Sequence, residues 1–267
     1  PRPRPSPPPP RLRRGLAEAL RAKAETRTEN RAHRSVNIPT PPSIPDVLVV
    51  GAGPSGLATA IAAKQHGLEY AVIEKGVLVN SIFNFPTHMV YFTTPELLEI
   101  GGLPLVTPVE KPTRLESLRY YRPVVDTYGL QAAFPPEVTD IARPGGGLVG
   151  TTAGVPPGTH PGNWAEARGS LRARAVVLAI GYYDIPNALG VPGEQLPHVS
   201  HYYREPHPYY RQRVVVVGGK NSAAEAALEL FRAGAHVTLV HRRATLGDSI
   251  KYWVRPDIEN RIKEGSI

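Results

Sequence analysis

The chain has 267 residues, of which 41% are hydrophobic and 20% are charged, and its formal net charge is +8. Residues 1–45 hold ten basic and three acidic residues, so nearly all of the excess charge lies there. The overall charge therefore does not indicate a protein that binds nucleic acid or a membrane surface. The sequence contains no cysteine, which excludes disulfides, cysteine-based zinc sites and a protein-thiol redox relay within these residues.

The sequence carries no recognisable membrane or secretion signal. No apolar run approaches the roughly 20 residues of a membrane-spanning helix, and no signal-peptide pattern precedes residue 46. The basic stretch 11–34 resembles an organelle-targeting segment, but Glu18, Glu25 and Glu29 are atypical of one. These features favour a cytoplasmic protein.

Residues 1–45 form a Pro/Arg-rich tail that we expect to be disordered. Eleven of the 30 prolines lie here, and such a composition favours an extended chain over a packed core. Leu12, Leu16 and Leu20 are spaced for one face of a short helix around 11–24, which would be marginal without a partner surface. A tail that binds an acidic partner is the alternative.

The predicted folded region begins with a βαβ unit. A strand over 46–50 precedes a helix over 54–66 and a second strand over 71–74. The turn between the first strand and the helix reads Gly51-Ala52-Gly53-Pro54-Ser55-Gly56.

This first glycine-rich turn has the pattern of a dinucleotide site. Gly51 permits a tight turn, Gly53 lets the backbone approach a pyrophosphate, and Gly56 lets the helix pack closely on the strand. Glu74 ends the second strand, where an acid accepts hydrogen bonds from a ribose 2′-hydroxyl. The pattern predicts FAD here; a glycine turn without a ligand is the alternative.

A proline-rich loop region over 78–113 leads to a second predicted helix. Thr113 and Glu116 have the spacing of a capping box. The helix that they open should run to about Tyr128, and Gly129 suits the position directly after its last residue.

The next part of the chain is expected to be mostly β-structure. Short strands are predicted around 138–141 and 171–177, and the Gly/Pro-rich stretch 144–162 is interpreted as a hairpin connection with a long insertion. The apolar run 175–181 is a buried strand that ends in glycine. In the linker that follows, we expect the tyrosines and histidines to pack between two domains.

A second βαβ unit begins at residue 214. Its strand 214–217, helix 222–233 and strand 236–240 are predicted from the apolar pattern. Its turn reads Gly218-Gly219-Lys220-Asn221-Ser222-Ala223, and its second strand is followed by His241-Arg242-Arg243.

The second βαβ unit differs from the first in the charge of the residues that follow its second strand. At this position the guanidinium groups of Arg242 and Arg243 can pair with the 2′-phosphate of a dinucleotide, so the unit is predicted to bind NADPH. Lys220 narrows the approach to the turn, although its ammonium can reach a phosphate, while Asn221 and Ser222 can donate hydrogen bonds. A solvated basic turn is the alternative.

Several segments together resemble the bacillithiol disulfide reductase family, whose members are thioredoxin-reductase-like flavoproteins. The resemblance covers about residues 46–267. The matching segments are the first turn, Val72-Ile73-Glu74-Lys75-Gly76, Asn80-Ser81-Ile82, Pro86-Thr87-His88, Leu98-Glu99-Ile100-Gly101, Lys111-Pro112-Thr113-Arg114, Gly181-Tyr182-Tyr183-Asp184, Val199-Ser200-His201-Tyr202 and the second turn.

The resemblance implies an α/β fold with two Rossmann-like modules, a FAD-binding domain over 46–200 and an incomplete NADPH-binding domain over 201–267. It also implies that Lys75 and Gly181 contact the cofactor. The expected activity is transfer of hydride from NADPH through flavin to a small-molecule disulfide, with no catalytic side chain assigned. A homo-oligomer is compatible with this expectation, and neither a metal nor a nucleic acid is expected.

Two departures from the family pattern accompany the resemblance. Ser55 stands where some members carry cysteine in the first turn, and a hydroxyl is a poor substitute for a thiolate in disulfide exchange. The family also continues beyond the residue that matches Ile267, so we expect an incomplete second sheet with uncovered apolar faces.

Two other functions remain open from the sequence. Flavin-dependent monooxygenases share paired dinucleotide motifs, and oxygen-dependent use of NADPH would favour one. An inactive fragment that binds nucleotide weakly would be favoured by a colourless preparation.

Overall fold

The computed structural model describes residues 44–134, 137–143, 148–153 and 169–267. The helix expected around 11–24 and the tail expected to be disordered lie outside the described residues, except for the last two residues of the tail.

The first module is built on a four-stranded parallel sheet in the order β3-β2-β1-β7. Its strands are β1 (Val47–Val50), β2 (Tyr70–Ile73), β3 (Ala132–Ala133) and β7 (Ala175–Leu178). Helix α1 (Pro54–Gln65) follows β1, as predicted, and ends one residue early. Because Leu57 and Ile61 of α1 and Val72 of β2 are buried in one cluster, the helix is held firmly on the sheet.

Two further helices pack on this sheet. The short helix α2 (Asn80–Asn84) lies within the region expected to be loop. Helix α3 (Arg114–Tyr128) has the predicted capping box, in which the Thr113 side chain accepts the Glu116 N–H and Glu116 accepts the Thr113 N–H at 2.6 Å. Gly129 ends α3 in the left-handed conformation, so both predicted ends are confirmed.

An antiparallel sheet is inserted between β3 and β7. It consists of β4 (Glu137–Ala142), β5 (Leu148–Ala153) and β6 (Gly169–Ala173), in the order β4-β5-β6. One expectation was wrong here. The stretch 144–162, interpreted as a connection, contains the central strand β5, and its other residues, 144–147 and 154–162, lie outside the described residues.

The predicted strand 171–177 is in fact two strands that belong to different sheets. Arg174 separates β6 from β7, and its backbone N–H donates to the Pro45 carbonyl at 3.1 Å. The chain therefore leaves the antiparallel sheet and joins the parallel one beside β1. Strand β7 begins at the first residue of the apolar run 175–181 that was predicted as a strand. That run is less buried than predicted, because Leu178 and Ile180 are 60% and 61% exposed.

The second module contains a pair of parallel strands and two helices. Its elements are β8 (Arg213–Val217), α4 (Asn221–Arg232), β9 (His236–Val240) and α5 (Arg255–Lys263). One face of the strand pair packs on α4. The other face leaves Val215, Val217 and Val240 at 63%, 55% and 46% exposure, which confirms the expected uncovered apolar face.

Tyrosine side chains pack the linker between the modules, as predicted, but the linker histidines His198, His201 and His207 are exposed. The Tyr202 ring lies 5.2 Å from the Tyr183 ring, and the Tyr203 hydroxyl donates to Glu229 of α4 at 2.8 Å. Within the linker, His201 and two backbone N–H groups surround the carboxylate of Glu194 and lower its pKa to about 2.

The described residues contain no helix that is long and apolar enough to span a membrane. Within the same part of the chain, no three acidic or histidine side chains are grouped so that they could hold a metal ion.

The capping box provides a test of the first module. Replacing Thr113 by Ala removes the acceptor of the Glu116 N–H, and we expect a loss of about 1 kcal/mol in the free energy of unfolding. Urea denaturation measures this loss. The control is Thr127→Ala at the exposed end of α3, and an equal effect of both variants would contradict the role of the cap.

The lowered pKa of Glu194 predicts that the free energy of unfolding decreases at acidic pH. Its carboxylate contributes stability that is fully present above the ordinary value of 4.5 and is lost as the pH falls toward about 2. The difference in unfolding free energy between the unchanged protein and Glu194→Gln should therefore shrink over that interval. Denaturation at a series of pH values measures it, and a constant difference would argue against the prediction.

Candidate functional site

The first glycine-rich turn requires glycine at two positions for steric reasons. Gly51 has φ +108°, and a Cβ on it would lie 2.4 Å from the Ala179 carbonyl oxygen. A Cβ on Gly56 would lie 1.9 Å from the Gly51 carbonyl oxygen. The turn, α1 and the end of β7 are thus in direct backbone contact.

Gly53 is different, because a Cβ there would meet no atom within 4 Å. It is the residue before α1, and within the described chain no side chain caps this helix end. Pro54 is the first helical residue, followed by the exposed Ser55. The open space therefore adjoins free backbone N–H groups at a helix N-terminus, an arrangement that suits a pyrophosphate.

Glu74 is buried and joins the end of β2 to this turn. One carboxylate oxygen accepts the Ala52 N–H at 2.8 Å, and the other accepts the Gly76 N–H at 2.8 Å. Each oxygen has lone pairs for about two hydrogen bonds, so capacity remains for a ribose hydroxyl. The carboxylate thus shapes the turn in addition to its predicted role.

Lys75 and Gly181 lie on two neighbouring segments of the chain at the edge of the same site. Lys75 forms an ion pair with Asp184 at 3.2 Å. Gly181 has φ +63°, and a Cβ on it would lie 3.6 Å from the Ser81 hydroxyl. The structure therefore brings together all the residues predicted for FAD.

A cleft of about 700 Å³ extends from this site toward the second module. It is bordered by Asn80 and Asn84 of α2 and by the rings of Tyr183 and Tyr202. The sequence reasoning assigned none of these four residues to a site. Asn80, Tyr183 and Tyr202 lay in segments that carried the family resemblance, which was the available signal.

Helix α2 is attached to the first turn by a residue with an unusual backbone. Val79 precedes the helix with φ +49°, a conformation that β-branched residues rarely adopt. Its side chain is buried, and its N–H donates to the Ala52 carbonyl at 3.0 Å. This contact attaches the start of α2, and with it the cleft residue Asn80, to the first turn.

The second turn follows β8 and is covered by a histidine ring. Gly218 has φ +149°. A Cβ on Gly219 would lie between 2.1 and 2.7 Å from three atoms of the His241 imidazole. The ring therefore packs against the turn, and the predicted contact of His241 with a coenzyme would be made from that position.

Asn221 makes two hydrogen bonds within the protein, and its predicted contact with a coenzyme stays a prediction. Its amide nitrogen donates to the Ser249 carbonyl at 2.9 Å, and its amide oxygen accepts the Lys251 N–H at 2.7 Å. These bonds attach α4 to the loop before α5. Lys220 and Ser222 are exposed at the helix start, and Ala223 lies beneath Gly218.

Arg242 and Arg243 lie exposed directly after β9. They reach the same sheet edge as the second turn because β8 and β9 are parallel and in register, and because the Gly218 N–H donates to the Val240 carbonyl at 2.9 Å. The structure thus brings the predicted NADPH residues together at one edge of the sheet.

The chain is similar to known proteins both in sequence and in structure. It is 40% identical over 220 residues to bacilliredoxin reductase Bdr of Bacillus subtilis, covering 82% of this chain and 64% of that protein. The bacillithiol disulfide reductase Bdr (YpdA) of Staphylococcus aureus superposes with a TM-score of 0.76 at 37% identity, covering 83% of this chain and 64% of that one. These relatives confirm the family resemblance seen in the sequence.

A flavin monooxygenase from Stenotrophomonas maltophilia shares the fold alone, with a TM-score of 0.66, 22% identity and coverage of 84% of this chain and 69% of that one. This chain spans less than two thirds of the Bacillus subtilis relative. The family model for pyridine nucleotide-disulphide oxidoreductases matches residues 48–267. The chain therefore belongs to the pyridine nucleotide-disulphide oxidoreductase family.

Proposed function

We propose that the protein is a FAD-dependent oxidoreductase that uses NADPH to reduce a low-molecular-weight disulfide. The observation that carries the proposal is the pair of unlike turns, one followed by the buried acid Glu74 and the other by Arg242 and Arg243. Bacillithiol disulfide is the proposed substrate, because the Staphylococcus aureus relative is named for its reduction.

The first turn supports FAD as the resident cofactor. Gly53 leaves room for the pyrophosphate beside the N-terminus of α1, and Glu74 would accept the ribose hydroxyl. Lys75 and Gly181 would border the cofactor. Bound flavin supplies a two-electron carrier between the nicotinamide and the acceptor.

The second turn supports NADPH as the electron donor. Lys220, Ser222 and the N-terminus of α4 would bind the pyrophosphate, and Arg242 and Arg243 would bind the 2′-phosphate. Because a guanidinium is always charged and forms paired hydrogen bonds to phosphate, these residues favour NADPH over NADH. We further propose that the FAD-binding domain spans 46–200 and the NADPH-binding domain 201–267.

The absence of cysteine determines how the chain can reduce a disulfide. No dithiol of these 267 residues can relay electrons, and Ser55 provides no thiolate in the first turn. Each turnover would consume one NADPH and one proton and release two thiols, with the acceptor bound next to the flavin. The cleft between the modules is the proposed binding place, and a cytoplasmic location fits this chemistry.

One experiment tests the function as a whole. The purified protein should show a flavin absorbance spectrum, which NADPH should bleach without oxygen and an added disulfide should restore. A colourless preparation would indicate an inactive fragment. Oxygenation of a substrate would instead indicate a monooxygenase.

The open space at Gly53 allows a test that separates cofactor binding from folding. Gly53→Val should fold normally, because a Cβ meets no atom there, but should lose bound flavin because the side chain fills the pyrophosphate space. Flavin content and the thermal midpoint are the measurements. Ala62→Val, an exposed position of α1, is the control, and yellow Gly53→Val protein would refute the assignment.

Coenzyme preference tests the arginine pair. Each charge-assisted contact to the 2′-phosphate contributes on the order of 1.5–3 kcal/mol. Replacing Arg242 and Arg243 by Ala should therefore reduce the preference for NADPH over NADH by at least roughly tenfold. Arg213→Ala, at the opposite end of β8, is the control. The measurement is the ratio of kcat/KM for NADPH to that for NADH, and an unchanged ratio in the double variant would contradict the prediction.

A further inference from the structure

The linker segment 189–201 is folded around one buried carboxylate. Glu194 is 8% exposed. It accepts hydrogen bonds from the Leu189 N–H at 2.8 Å, the Gly190 N–H at 2.7 Å and the His201 Nε2–H at 2.9 Å. Leu189 and Val191 of the same segment are 57% and 52% exposed. Since apolar burial does not hold this segment, the carboxylate is its anchor.

The residue after His201 forms part of the cleft. Tyr202 donates its hydroxyl to the Tyr183 carbonyl at 2.8 Å, and the two rings are in contact. The Ser200 hydroxyl donates to the Tyr202 carbonyl at 2.9 Å and accepts the Tyr202 N–H at 3.2 Å. These local bonds restrict the backbone from 200 to 202, so fixing the His201 ring also determines where the Tyr202 ring lies.

The two following residues attach the linker to both modules. Tyr203 bonds to Glu229 of the second module. The Arg204 carbonyl accepts the Thr87 N–H at 2.8 Å, and its guanidinium donates to Asn84 at 2.8 Å in the first module. The Glu194–His201 contact therefore lies at the start of the segment that connects the modules beside the cleft.

Tyr183 is held from its other side as well. Its ring packs edge-on against Phe85, with the centroids 4.8 Å apart. Phe85, Tyr183 and Tyr202 thus form a continuous row of aromatic side chains. The Phe85 end is packed against the core of the first module, whereas the Tyr202 end depends on the linker.

We propose that Glu194 and His201 are positioning residues that hold Tyr202, and through it Tyr183, as the wall of the cleft that contacts the disulfide acceptor. The inference rests on the proposed function and assigns the pair a role in acceptor binding. Neither residue touches the reacting atoms. The carboxylate stays ionised at neutral pH, so the contact with His201 persists under the conditions in which the enzyme would work.

The test compares His201→Gln with His198→Gln. His198 is an exposed histidine of the same linker for which the described residues provide no hydrogen bond, so it is a matched control. Glu194→Gln, the double variant Glu194→Gln/His201→Gln and Tyr202→Phe complete the set. The measurements are amide hydrogen exchange at Leu189, Gly190 and Tyr202, flavin content, and KM and kcat for the disulfide.

Loss of one hydrogen bond corresponds to roughly a three- to tenfold change in an equilibrium. We expect His201→Gln and Glu194→Gln to accelerate exchange at these amides and to raise the KM for the disulfide by about that factor. Flavin content and the KM for NADPH should stay unchanged. Tyr202→Phe should raise the same KM, and the double variant should be no worse than the more affected single variant, because both residues act through one contact.

The outcomes separate this inference from the proposed function. If the unchanged protein reduces disulfides but His201→Gln matches His198→Gln in both exchange and KM, the positioning role is wrong. Faster exchange with an unchanged KM would also overturn it, because the contact would then hold only the linker. Failure of the unchanged protein to reduce any disulfide would overturn the proposed function, and this role with it. Since His201 is partly exposed, its variant remains informative even if Glu194→Gln does not fold.

Discussion

The first module depends on the hydrogen bonds of one buried carboxylate. Glu74 lies at the end of β2 and binds the N–H groups of Ala52 and Gly76, one with each oxygen. Because a buried backbone N–H without a partner is costly, these bonds stabilise the turn in a shape that β1 alone would not specify. The open space at Gly53 and the direction of α1 follow from that shape. A residue expected to bind a ribose is therefore also part of the framework that forms the site.

The second module reaches a similar shape by different contacts. No acid follows β9, and the His241 ring packs against Gly219 instead. Asn221 binds the loop before α5 through both ends of its amide, which leaves Lys220 and Ser222 as the exposed polar side chains at the start of α4. The two modules thus present unlike charges at equivalent edges of their sheets. This difference in charge, within a common βαβ framework, is what distinguishes the two proposed nucleotide sites.

The connection between the modules combines polar anchors with aromatic packing. In the linker, Glu194 organises a segment whose apolar side chains are largely exposed. A few residues later, Tyr202 and Tyr203 bond to different modules. Two successive linker residues thus make contacts in different modules, and Tyr202 at the same time borders the cleft.

The sequence alone determined the features that depend on residues close together in the chain. The glycines of the first turn, the capping box at Thr113 and the arginines after β9 are set by local spacing, and each lies where that spacing predicted. Tertiary structure decided the features that depend on distant partners. Strand β5 exists because strands on both sides pair with it, and Asn221 binds residues 28 and 30 positions further along the chain. Likewise, the stretch 171–177, predicted as one strand, divides between two sheets because β6 pairs with β5 and β7 pairs with β1. A local pattern carries no information about such partners, since hydrogen bonds between distant segments depend on how the chain is arranged in three dimensions.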